Sequence, residues 1–153
     1  MLTDYELKLQ SARIFVATAF AFDHTMTLAA ARKVVPGLSL HQNEWIAGAE
    51  VGDPADIVAL GVRANEGGRL THVTAYFECR DRLRLPSIQS CIAAHLNLRL
   101  GRATERSVTG NWRHRTWLTQ NGRVTMHRIQ RGTQGRLITY FMLERVFDLA
   151  DDV

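Results

Sequence analysis

The side chains best suited to chemistry in this chain lie between residues 112 and 144. His114 and His127 carry imidazoles, which titrate near neutrality and can move protons. Thr116 and Tyr140 add hydroxyls, and Arg115 and Arg128 add guanidinium groups that suit carboxylate or phosphate oxygens. These six residues are the candidate ligand-binding set, and the two arginines favour an anionic ligand. An enzymatic reading uses His127 or Asp23 as base, with Tyr140 or Tyr76 as hydrogen-bond donor. Asp23 precedes His24, but adjacent side chains point apart, and an Asp ahead of a helix serves equally well as a cap. His72, Tyr76 and Glu78 share one face of an expected strand and could extend the same pocket.

Whether these groups meet depends on strand phase, because a one-residue slip moves every side chain to the other face. Asn121-Gly122 is the strongest short hairpin signal in the chain. Centred in a two-residue turn, it sets Thr119 opposite Val124, Trp117 opposite Met126, Arg115 opposite Arg128 and Arg113 opposite Gln130. Centring the next loop on Thr133-Gln134 sets Arg123 opposite Glu144, Met126 opposite Phe141, His127 opposite Tyr140 and Ile129 opposite Ile138. One face then holds Trp117, Met126 and Phe141, with Val124, Leu137 and Leu143 beside them, and reads as core. The same face opposes Arg115 to Arg128. Like charges so placed repel, and either an acidic side chain, an anionic ligand or water at the sheet margin must relieve them. The other face carries His114, Thr116, Thr125, His127, Tyr140 and Met142, the mixture of a partly lined pocket. A structural His–Tyr hydrogen bond is the plainer reading of the same residues.

No established catalytic signature is present: no GxSxG, Walker loop, HExxH, GxGxxG or DxDxDG. The two cysteines, Cys79 and Cys91, have neither a CxxC spacing nor a paired Cys/His pattern, so neither a metal site nor a cofactor is expected. With no basic-then-apolar leader in the first ten residues, they read as reduced thiols of a cytoplasmic protein. The longest largely apolar run, 14–22 with Thr18 inside it, is about half of what spans a bilayer, so no membrane association is expected.

The net charge of +4 is unevenly spread. Residues 1–78 hold six basic and nine acidic side chains, a balance of −3, whereas 79–153 hold thirteen and six, a balance of +7. Between Glu105 and Glu144 there is no carboxylate, while seven arginines accumulate. Arg interleaved with Trp112 and Trp117 over 106–136 suits a polyanion or nucleic acid in residue type but not in spacing. Nucleic acid is therefore a less favoured partner than a small molecule. A homodimer through the sheet edge or the apolar first helix is a plausible further partner.

The elements that must position these groups follow from caps, breakers and periodicity. Thr3-Asp4-Tyr5-Glu6 is a capping box opening a helix to about residue 22. A second helix runs from Asp23, Thr25 or Thr27 to Val35 and stops at Pro36-Gly37. The stretch 39–51 reads as weakly helical at best. For 53–68, Asp53-Pro54 favours a helix start, but the β-branched run 57–62 with Gly61 inside it favours a strand. A hairpin pairing Ala64 with Arg69 places Val58, Leu60 and Val62 on the face of Ala75, Val73 and Thr71, and this is the preferred reading. A third helix spans about 86–101, and three strands follow.

The expected fold is α+β, a single domain over 1–153 in the order α-α-β-β-α-β-β-β. This order is similar to PAS, GAF and profilin-like sensor domains, with 113–149 resembling the last three PAS strands. It is also similar to the cone-shaped ketosteroid-isomerase-like fold. Neither likeness carries a functional residue. The expected function is small-molecule binding in a pocket between the C-terminal antiparallel sheet and the N-terminal helices. The alternatives are a small isomerase, lyase or hydrolase-type enzyme on the cone, or a polyanion binder.

Overall fold

A computed structural model describes residues 4–51, 56–79, 85–110, 112–133 and 136–148. Among the described residues three helices, α1 (Asp4–Ala19), α2 (Leu28–Val34) and α3 (Leu85–Leu100), accompany one antiparallel sheet of eight strands. The strands are β1 (Ser39–His41), β2 (Glu44–Val51), β3 (Asp56–Ala64), β4 (Leu70–Cys79), β5 (Glu105–Thr109), β6 (Trp112–Thr119), β7 (Gly122–Thr133) and β8 (Arg136–Phe147). Their spatial order is β1-β2-β3-β4-β8-β7-β6-β5, so the last strand of the chain joins the two halves of the sheet.

The expected order of elements holds, with three additional strands. Segment 39–51 is the hairpin β1–β2 rather than weak helix. Its turn places Gln42 at φ 58°, a conformation usually signalled by glycine, so Asn43 is the one turn mark the sequence carries there. Four strands rather than three follow α3, because β5 precedes the expected meander. Every residue of β5 is exposed, so no apolar alternation announces it. The first helix ends at Ala19, short of residue 22; its expected cap, Thr3, lies outside the described residues. Thr27 caps α2, its hydroxyl accepting from the Ala30 amide at 3.2 Å, and Gly101 at φ 80° follows the last turn of α3.

The preferred hairpin is present as β3 and β4, with Leu60 opposite Ala75 and Val62 opposite Val73. All three expected hairpin registers are displaced by two residues. The β6–β7 turn lies at Gln120-Asn121, and Gly122 pairs with Thr119. Gly122 has φ 143°, and a Cβ there would run into the Val146 carbonyl of β8, so the glycine serves the close approach of two strands rather than the bend. Across β7–β8, Thr133 pairs with Arg136, two residues out of the expected register. A slip of two changes partners but keeps faces.

One face therefore carries the core. Ala12, Phe15 and Val16 of α1 and Ile88, Ile92 and Leu96 of α3 bury Phe77, Trp117, Val124, Met126, Phe141 and Leu143. Phe77 packs 5.4 Å from Phe15 and 6.0 Å from Phe141 between ring centroids, and the Trp117 indole donates to the Gly101 carbonyl at 3.0 Å. Leu28 and Ala31 of α2, with Phe22, close a second cluster over Leu60, Val62, Leu70 and Val73. Arg145 joins the two clusters, donating to the carbonyl of Ala19 at the end of α1 and to that of Phe22 just beyond it. All three helices lie on this face, and the opposite face carries polar and apolar side chains together, among them His114, Thr116, His127 and the exposed Leu118.

Candidate functional site

Five of the six predicted site residues fall on two faces of the sheet. Arg115 and Arg128 lie on the helix-covered face, whereas His114, Thr116 and His127 lie on the other. Tyr140 pairs through its backbone with Ile129 and Glu78, and its side chain lies outside the described ones. The expected pairing of His127 with Tyr140 is replaced by His127 with Met142, and that of Arg123 with Glu144 by Thr125 with Glu144. The cause is the displaced turns.

On the helix side, Arg113 rather than Arg115 stands directly opposite Arg128, and Arg115 stands opposite Arg106 of β5. Arg113, Arg115 and Arg128 line a cleft of about 360 Å³ with Met126, and Gln89, Ser90 and Ala93 of α3 form its other wall. Among the described residues no carboxylate lines it. Burial and the neighbouring charges of Arg113 and Arg115 push the Arg128 guanidinium below its ordinary pKa. The repulsion anticipated for two arginines thus falls on three, with no acidic side chain in the lining to relieve it.

The open face is organised differently. His114 and His127 are directly opposed, and their Nδ1 atoms are 2.7 Å apart. One ring must donate and the other accept. Glu144 of β8 lies 3.8 Å from His127 Nε2, an electrostatic contact too long for a hydrogen bond, and its charge favours a proton on that nitrogen. In the neutral ring His127 Nδ1 is then the acceptor, His114 Nδ1 the donor, and His114 Nε2 keeps its lone pair. The Trp112 ring lies nearly parallel to His114, 6.5 Å away, and Thr116 and Thr125 share a hydrogen bond of 3.1 Å beside the pair. Contact with His127 holds the Glu144 carboxyl below its usual range, while burial and then the charge of His127 pull His114 down. Glu144 approaches the far side of the His127 ring from the two Nδ1 atoms, and among the described residues no three His, Cys, Asp or Glu side chains form a metal-binding group.

A third group was not anticipated. Glu44, only 6% exposed, reaches across Gly61 to accept a 2.5 Å hydrogen bond from the Tyr76 hydroxyl, and Arg63 Nε lies 3.5 Å from the same carboxylate. A Cβ at Gly61 would stand 2.7 Å from the Glu44 carboxyl carbon, so the glycine makes room for the carboxylate. Burial first, then the Glu44 hydrogen bond, pushes the Tyr76 phenol well above its usual pKa. The glycine inside the β-branched run was the one sequence signal of this arrangement. Asp23 caps its own turn, its carboxylate accepting from the Thr25 amide at 2.8 Å and from the Thr25 hydroxyl, and these bonds lower its pKa.

No helix among the described residues is long and apolar enough to cross a membrane. The chain matches no known family, no curated protein and no solved structure at a significant level.

Proposed function

We propose that this chain is a small-molecule-binding domain whose ligand is anionic and sits between α3 and strands β6 and β7 of the sheet. One observation carries the reading: Arg113, Arg115 and Arg128 line a cleft of about 360 Å³ in which no described residue supplies a carboxylate. That volume is within the range of small-molecule sites, and Met126 and Ala93 add apolar wall to the charged groups. The site keeps the arginines of the expected set but exchanges the histidines for Gln89 and Ser90. Thermal unfolding at fixed ionic strength tests it. A ligand held by the native state raises the transition by mass action, so a dicarboxylate or phosphate should stabilise the protein and lose that effect in Arg128→Gln. Equal stabilisation of both proteins would refute the site.

A second reading, acid–base catalysis on the open face, is favoured by the Glu144–His127–His114 chain, in which His114 Nε2 is the basic terminus. It requires a turnover that His114→Asn abolishes while anion binding in the cleft survives. Loss of both together would speak for a purely structural pair.

A further inference from the structure

We infer that the occupant of the arginine cleft is an organic dianion, such as a phosphate monoester or a dicarboxylate with an apolar body, rather than a monoanion or a nucleic-acid strand. The inference rests on the proposed anion site and adds its ligand class.

Charge comes first. Arg113 and Arg128 are directly opposed, Arg115 lies two residues along β6, and no described lining residue is acidic. A monoanion leaves two of three positive charges unanswered, whereas a dianion can engage a separate guanidinium with each charge. Hydrogen-bonding capacity agrees: the guanidinium groups only donate, so the lining is rich in donors and asks for an acceptor-rich head group.

Shape narrows the class further. Met126 and Ala93 line the same cleft and offer nothing to an inorganic ion, so the body beyond the head group is apolar. Single-stranded nucleic acid needs aromatic platforms for its bases. Trp117 is 1% exposed in the core, and Trp112 packs against His114 and His127 on the opposite face of the sheet. Neither tryptophan lines the cleft.

Isothermal titration at pH 8 with phenyl phosphate, benzenesulfonate and benzyl alcohol separates the possibilities. The three share a phenyl body and carry two, one and no negative charges. The dianion should bind roughly tenfold or more tightly than the sulfonate, since one further charge-assisted contact is at stake, and the alcohol should not bind. Arg128→Gln should erase the difference. The exposed Arg113→Gln serves the same purpose should the first variant not fold. Equal affinity for phosphate and sulfonate overturns the dianion class and leaves the anion site standing; no binding of either overturns both. An oligothymidylate that binds more tightly than phenyl phosphate, with affinity falling steeply in salt, overturns the inference in favour of a polyanion.

Discussion

His114 and His127 face each other across β6 and β7 with their Nδ1 atoms 2.7 Å apart, and the adjacent rung of the same ladder, on the other side of the sheet, is Arg113 opposite Arg128. The ladder thus carries a hydrogen-bonded pair of imidazoles on one face and a repelling pair of guanidiniums on the other. With one Nδ1 donating and the other accepting, the two rings must hold complementary tautomers. Nitrogen NMR of the imidazoles should find His114 Nε2 unprotonated and His127 Nε2 protonated at pH 8. Glu144→Gln should weaken that preference, and an unchanged pattern would remove Glu144 as its cause.

Acid should weaken the fold before the carboxylates titrate. Burial depresses the pKa of both His72 and His114 in the folded state. Below about pH 6.5 the unfolded chain therefore binds protons that the native chain refuses, and stability falls as pH drops toward the folded-state values. The lowered pKa of Glu144 acts in a separate window, where its stabilisation is present above the ordinary carboxylate range and is lost below it. Urea midpoints from pH 7.5 to 5 should decline for the wild type and less for His72→Asn. A flat profile over that interval would contradict the depressed histidines.

Removing the Tyr76 hydroxyl should be costly for a half-buried side chain. Tyr76→Phe leaves the buried Glu44 carboxylate without its hydrogen-bond donor, a loss of about 2 kcal/mol. Gly61→Ala should cost a similar amount by displacing the same carboxylate, so the double variant should fall short of the sum. Additivity in denaturant unfolding would show that the two act separately. In alkaline titration the Tyr76 phenol should ionise late, and Tyr76→Phe should abolish that phase.

The arginine cleft predicts opposed effects on stability and binding. Like charges directly opposed across strands are destabilising, so Arg113→Gln should leave the ligand-free protein as stable as before or about 0.5 kcal/mol more stable. Calorimetry should show the same variant losing the stabilisation that an organic dianion gives the wild type. A ligand-free Arg113→Gln protein that melts well below the wild type would mean that the guanidinium has a structural partner.

Faces were legible in the sequence, whereas partners were not. Trp117, Met126 and Phe141 were placed on the core side and His114 and His127 on the other because alternation survives a slip of two. The pairings failed because Asn121-Gly122 reads as a bend, while Gly122 is retained for its approach to the Val146 carbonyl. Opposite faces of one sheet are also why Arg128 and His127, adjacent in sequence, could not share a pocket. The β1–β2 hairpin was hidden by a glutamine in a conformation glycine prefers, and β5 by the exposure of its whole length. The Glu44–Tyr76 bond spans 32 residues, and no local pattern encodes it beyond the glycine at position 61.

The most direct test of the binding site is the set of arginine side-chain Nε–Hε signals during titration with phenyl phosphate. Of seventeen arginines, those of Arg113, Arg115 and Arg128 should shift together along one saturable curve, while Arg13, Arg32 and Arg99, on the helices, stay in place. Shifts spread over all arginines according to their exposure, or none at the three cleft positions, would contradict the assignment of the cleft as the site.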